Sequence, residues 1–171
     1  MNYLAVDELL TLQRPVSDGP EHDELLFITI HQVYELWFKQ LLHELEQAQR
    51  QMVEVRTQDV LGTLNRVKAI LAVCIRQVDV LITMTPLQFG AFRSRLESAS
   101  GFQSAQFREL EALLGRRDGR FASHLLDEHR AKVEARMQEP SLWDSALGYL
   151  NACGFAIPEL VLQRDVSLPY E

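Results

Sequence analysis

The chain alternates long stretches, in which apolar residues recur at every third or fourth position, with short breaks rich in proline, glycine and serine. A spacing of three and four places apolar side chains on one face of an α-helix, whereas strands show a period of two. The pattern therefore predicts an all-α fold. The predicted helices cover residues 4–12, 22–55, 58–82, 86–96, 103–114, 123–138 and 140–153. Thr57 is expected as the N-cap of the third helix and Gly154 as the residue that follows the last.

The longest predicted helix, residues 22–55, is apolar almost all round in its first half and amphipathic in its second half. A helix that is apolar on every side is buried in the core of its domain. We therefore expect a helical bundle around this one long buried central helix, folded as a single all-α domain over residues 1–171. Its parts would be an N-terminal helix in residues 1–13, a helical core in residues 22–157 and a connection toward a further element in residues 158–171.

Composition narrows the classes of protein that the chain can belong to. Its 171 residues are 47% hydrophobic and carry a formal net charge of −7, which disfavours a general binder of nucleic acid or of anionic membranes. Neither a leader peptide nor a bilayer-spanning stretch is predicted, so we expect a cytoplasmic protein. Cys74 and Cys153 lie in apolar stretches, which favours two buried free thiols over a disulfide.

His31 is a polar residue inside the apolar half of the central helix, with Phe27 and Tyr34 on the same helical face. Two interpretations stay open: a core histidine that hydrogen-bonds a neighbouring helix, or a residue that binds a ligand or takes part in catalysis. Spacing alone favours the core histidine. None of the five histidines follows a glutamate by three residues, so a closed di-iron or zinc site is not expected.

Arg93 follows Phe89 by one helical turn on the helix predicted after Pro86. An arginine beside an aromatic ring can clamp a substrate carboxylate while the ring packs on the rest of the substrate. The alternative is a surface ion pair with Glu97 at i+4, and the residues by themselves slightly favour that pair.

Three stretches of the sequence resemble the signature of the tryptophan 2,3-dioxygenase family: residues 22–40, 83–93 and 99–108. They occur in the order found in that family, and the resemblance extends from Tyr3 to about Arg164. The family is all-α, tetrameric and haem-dependent, and it inserts both atoms of O2 across the indole C2–C3 bond of tryptophan to give N-formylkynurenine. The resemblance therefore implies haem b as cofactor, L-tryptophan or a related indole and O2 as substrates, and a homotetramer.

The resemblance also implies roles for five residues around the substrate. His31 would be the catalytic residue that hydrogen-bonds the indole N–H, and Phe27 would pack against the indole. Arg93 would clamp the substrate carboxylate, with Phe89 beside it. Tyr3 would complete the pocket of a neighbouring subunit, so the first helix is expected to contact that subunit.

Haem contacts are expected from Ser100, Gly101, Tyr34 and Trp37. In the family the proximal haem histidine lies in a later part of the sequence, so no metal-ligating residue is expected in this chain. Two alternatives to the dioxygenase remain open. The chain could belong to a related haem enzyme that inserts a single oxygen into a modified indole, or it could be a haem-free helical assembly module.

Overall fold

The computed structural model describes residues 3–19, 21–96 and 104–164. Within these ranges the chain forms helices and no strand, which confirms the all-α prediction. The helices are α1 (Val6–Leu9), α2 (His22–Val53), α3 (Thr57–Leu81), α4 (Pro86–Arg93), α5 (Ala105–Leu113), a 3-10 turn (Gly119–Ala122), α6 (Asp127–Gln138), α7 (Leu142–Ala152) and α8 (Glu159–Leu162).

Helix α2 is the central element, since α3, α4, α5 and α7 all pack against it. It begins at His22, as predicted, and runs for 32 residues. Helix α3 returns alongside it after a connection of only three residues. Val55, in the middle of that connection, takes the left-handed backbone conformation with φ 54°. This turn converts α2 and α3 into a helical hairpin.

The hydrophobic core lies along the second half of α2. Leu41 and Leu45 are almost completely buried there, against Val67 and Ile70 of α3 and Leu113 of α5. Burying side chains of this size contributes about 1.5–3 kcal/mol each to folding, so these residues supply much of what holds the helices together.

The prediction that the first half of α2 is buried on several sides holds where Phe27 and Ile30 are buried, but the helix is not covered all round. Leu25 and Leu36 are 49% and 50% exposed. Contacts from α5 reach α2 at Glu35 and Phe38, and those from α7 reach it at Gln49, well beyond its first turns. The composition of a helix shows that it can be buried, but only the packing of its neighbours decides which faces are covered.

Several helix ends follow the chemistry of capping. Thr85 and Gln88 form a reciprocal capping box at the start of α4, with Pro86 as the first helical residue, as predicted. Thr57 was expected as an N-cap but is instead the first residue of α3. Gly154 follows α7 at φ 90°, the conformation expected of a residue just past a helix end.

The structure corrects two predicted helix boundaries and the predicted burial of one cysteine. Helix α1 spans Val6–Leu9 rather than residues 4–12, because Ala5 before it takes φ 47°. Helix α6 begins at Asp127 rather than 123, since a 3-10 turn precedes it. Cys153 is a free thiol, but it is exposed rather than buried because it lies past the last residue of α7. No helix in the described ranges is long and apolar enough to cross a bilayer.

Candidate functional site

Three phenylalanine rings form an aromatic cluster where α4 packs on the first half of α2. The ring centroid of Phe27 lies 5.7 Å from those of both Phe89 and Phe92, which are 5.6 Å from each other. The capping box of α4 fixes the start of that helix, and the i, i+3 spacing then presents Phe89 and Phe92 toward α2. Phe92 is fully buried, whereas the other two rings form a wall beside it.

His31 stands next to this wall, with its ring centroid 4.0 Å from that of Phe27. Its Nδ1 atom lies 2.8 Å from the carbonyl oxygen of Phe27, one turn earlier on the same helix. A carbonyl oxygen only accepts hydrogen bonds, so Nδ1 carries the proton that is donated. In the neutral ring, Nε2 is then left as an acceptor. A core histidine was expected to hydrogen-bond a neighbouring helix. The bond that His31 makes instead stays within α2.

Arg93 lies at the end of α4, with its guanidinium carbon 5.8 Å from the ring centroid of Phe89. The side chain is exposed. Among the described residues, no carboxylate lies within ion-pair distance of it, and Glu97, the alternative partner, falls outside the described ranges. The structure therefore brings Phe27, His31, Phe89 and Arg93 into one neighbourhood, with a hydrogen-bond acceptor at one side and a cation at the other.

The residues expected to contact haem are not part of the cluster formed by Phe27, His31, Phe89 and Arg93. Tyr34 and Trp37 pack against the hydrophobic core between α2 and α3. The hydroxyl of Tyr34 donates to the carbonyl oxygen of Cys74, 2.7 Å away, and burial raises the pKa of this phenol. Ser100 and Gly101 lie outside the described residues. Haem contact by these four residues stays a prediction.

Tyr3 lies apart from this neighbourhood and is 97% exposed. Such exposure leaves its ring free of its own chain, as required of a residue that acts in a second subunit. That role stays a prediction.

The sequence model of the family described as tryptophan 2,3-dioxygenase matches residues 1–150. The chain belongs to this family. The tryptophan 2,3-dioxygenase of Herpetosiphon aurantiacus is 55% identical to it over 168 residues, which cover 97% of this chain and 64% of the relative. That of Anaeromyxobacter sp. is 57% identical over 159 residues, covering 92% and 59%, and that of Nocardioides sp. is 49% identical over 162 residues, covering 91% and 61%. The chain thus spans about three fifths of the length of these curated relatives.

Within this member of the tryptophan 2,3-dioxygenase family, sequence reasoning missed a buried carboxylate, Glu24. It is only 1% exposed and accepts hydrogen bonds from the backbone N–H groups of Val16 at 2.7 Å and Ser17 at 3.2 Å. Burial alone would raise the pKa of Glu24, but hydrogen bonds from Ser17 and Val16 and the charge of Arg95 bring it below its ordinary value. The available signal was spacing, since Glu24 shares one helical face with Phe27, three residues later.

No group of three or more histidine, cysteine, aspartate or glutamate side chains in the described ranges could hold a metal ion. The imidazoles other than His31 are exposed on the helices or in loops. They are those of His22, His43, His124 and His129. For this tryptophan 2,3-dioxygenase relative, the described residues therefore supply an aromatic wall and a hydrogen-bond acceptor, without a cluster of metal ligands.

A separate cavity of about 830 Å³ lies at the opposite end of α2, lined by residues that include Gln49, Met52, Pro140 and Tyr149. Gln49 is 18 residues beyond His31, which corresponds to roughly 27 Å along the helix axis. Among the described residues of this family member, no predicted site residue borders that cavity.

Proposed function

We propose that this chain forms the substrate side of the pocket of a haem-dependent tryptophan 2,3-dioxygenase. The reaction opens the indole ring of L-tryptophan with O2 to give N-formylkynurenine. The observation that carries the proposal is the meeting of His31, Phe27, Phe89 and Arg93 at the junction of α2 and α4. Membership of the tryptophan 2,3-dioxygenase family supports the same activity.

His31 would orient the indole. Because its Nδ1 donates to the carbonyl oxygen of Phe27, the ring is held in one tautomer and Nε2 accepts from the indole N–H. The bond also limits rotation of the imidazole, so the acceptor is in place before the substrate arrives. The ring of Phe27 would pack on the indole face and exclude water from it.

Arg93 would hold the amino-acid end of the substrate. A guanidinium pairs a carboxylate through two parallel hydrogen bonds, and the ring of Phe89 supports the planar group from one side. An indole without the carboxylate leaves this cation without its partner, so the arginine would discriminate against such compounds.

Haem b would supply the binding and activation of O2 when it is bound. The described residues fit the wall of such a site that faces the substrate, because they are aromatic and carry a hydrogen-bond acceptor. Tyr34, Trp37, Ser100 and Gly101 are proposed to line the haem. We assign no axial ligand among the described residues.

We further propose that the enzyme acts as a homotetramer in which Tyr3 enters the pocket of a neighbouring subunit. The near-complete exposure of Tyr3 supports this, as does the exposure of Leu4 and Leu10 beside it. Apolar side chains grouped on one exposed segment are typical of a surface that another chain covers.

The proposal is tested by kinetics on L-tryptophan and on tryptamine, which lacks the carboxylate, with wild type and Arg93→Ala. We expect the ratio of kcat/KM for L-tryptophan to that for tryptamine to fall by about tenfold or more in Arg93→Ala. The ratio for Arg93→Lys should lie between those of wild type and Arg93→Ala. Arg76→Ala, which removes an exposed arginine paired with Asp79 on α3, is the matched control and should behave as wild type.

A visible spectrum of the same samples supplies the second measurement. A Soret band close to one haem per chain, together with N-formylkynurenine as product, supports the proposal. A singly oxygenated product would favour the monooxygenase alternative. A chain that takes up no haem even after hemin is added would favour the assembly module.

A further inference from the structure

Glu24 makes no side-chain hydrogen bond to the proposed substrate-binding residues in the described part of the chain, yet it lies on the face of α2 that carries Phe27 and His31. It precedes Phe27 by three residues and His31 by seven, a spacing that aligns the three side chains along the helix. Its carboxylate is turned toward the segment that follows α1, where it accepts from the backbone N–H groups of Val16 and Ser17. A buried carboxylate thus fastens this segment to the first turn of α2.

A second attachment lies eight residues further along α2. The side-chain amide of Gln32 donates to the carbonyl oxygen of Leu12 at 3.0 Å and accepts from Gln13 at 2.5 Å. The two attachments are roughly 12 Å apart along the helix axis, and Phe27 and His31 lie between them. Residues 12–17 are therefore held across the part of α2 that carries the proposed site.

The charge of one residue after α4 also acts on the pKa of Glu24. Arg95, two residues beyond Arg93, favours the ionised carboxylate through its positive charge. The buried carboxylate itself joins two parts of the chain, the segment after α1 and the first turn of α2.

We propose that Glu24 is a positioning residue, whose carboxylate holds residues 12–17 across the part of α2 that carries Phe27 and His31. The inference rests on the proposed function. It extends that function by assigning a determinant of substrate affinity that makes no contact with the substrate.

The test compares Glu24→Gln with Asp23→Asn in the complete, haem-loaded protein. Asp23 lies in the same first turn of α2 and carries the same charge, but in the described part of the chain it makes no hydrogen bond to residues 12–17. We expect hydrogen exchange at the amides of Val16 and Ser17 to become at least about tenfold faster in Glu24→Gln only. The KM for L-tryptophan should rise about tenfold, with a much smaller change in kcat.

Each outcome separates the inference from the proposed function. Unchanged exchange at Val16 and Ser17, or equal acceleration in Asp23→Asn, overturns the attachment. Faster exchange with an unchanged KM overturns the positioning role. If wild type does not oxidise tryptophan, the proposed function fails, whereas the exchange measurement still reports on the attachment.

Gln32→Ala provides a second variant should Glu24→Gln fail to fold. It removes the partly exposed attachment to Leu12 and Gln13 and leaves the buried carboxylate in place. The same rise in KM with kcat largely retained supports the inference, and a KM equal to that of wild type contradicts it.

Discussion

His31 donates a hydrogen bond from Nδ1 to the carbonyl oxygen of Phe27, and the two rings lie 4.0 Å apart. Helical geometry brings residues four apart onto one face. The acceptor Nε2 of His31 and the aromatic surface of Phe27 therefore come from neighbouring positions on one face of α2. The orientation of the imidazole therefore depends on a backbone atom that no side-chain substitution removes.

We predict that His31→Ala lowers kcat/KM for L-tryptophan by about three- to tenfold, the value of one neutral hydrogen bond. For 1-methyl-L-tryptophan, which has no indole N–H, the same substitution should change kcat/KM much less. Steady-state kinetics on both substrates check this. His43→Ala, on the exposed face of the same helix, is the control. Equal losses on the two substrates would contradict a bond to the indole N–H.

Phe92→Ala should destabilise the protein by about 3–5 kcal/mol, because the ring is fully buried and its removal leaves a cavity between α2 and α4. Urea unfolding followed by circular dichroism measures the loss. Leu87→Ala on the same helix should cost less than about 0.5 kcal/mol, since Leu87 is exposed. Similar costs for the two variants would show that α4 is not anchored through Phe92.

Tyr34→Phe should lower the free energy of unfolding by about 1 kcal/mol through loss of the hydrogen bond to the carbonyl oxygen of Cys74. The Soret band should keep its position and intensity, because that hydroxyl is already engaged within the protein. Tyr149→Phe, which loses an exposed bond to Thr57, is the control for stability. A shifted Soret band would instead show that the Tyr34 hydroxyl acts on the haem.

Ionisation of Glu24 is predicted to make the free energy of unfolding depend on pH in the acidic range. The pKa of this carboxyl is lower in the folded chain than its ordinary value of 4.5, so ionised Glu24 stabilises the fold. Its contribution is complete above pH 4.5 and is lost as the pH falls through the folded pKa. At pH 7 the free energy of unfolding, measured in urea, should therefore be about 1.5–3 kcal/mol higher for wild type than for Glu24→Gln. This difference should shrink below pH 4.5.

The matched variant for that experiment is again Asp23→Asn. The free energy of unfolding of Asp23→Asn should differ little from that of wild type at pH 7, and this difference should change little with pH. A gap between wild type and Glu24→Gln that stays constant down to pH 3 would contradict the predicted titration.

The helices could be predicted from the sequence because apolar periodicity and a few breakers carry that information locally. Pro86 and Gly154 marked helix ends through their own backbone preferences. The contact between Phe89 and Arg93 followed from their i, i+4 spacing. Sequence signals of this kind act within a few residues and need no knowledge of the partner helix.

What could not be predicted depends on contacts between distant segments. The carboxylate of Glu24 resembles any acidic residue at a helix start, and its burial requires the segment that carries Val16 to fold back onto it. The partial exposure of Leu36 depends on where α5 begins to contact α2. The packing of Phe92 on Phe27 likewise requires α4 to lie against α2.

The left-handed conformation of Val55 affects the stability of the helical hairpin at a point remote from the proposed substrate site. A β-branched residue at positive φ carries local strain of about 1–3 kcal/mol, and packing of α3 along α2 compensates for it. The turn lies 24 residues from His31 in the sequence and at the far end of the helical hairpin. An asparagine at this position would relax the backbone, so the scaffold could gain stability, and tolerate damaging changes elsewhere, with no alteration of the pocket chemistry.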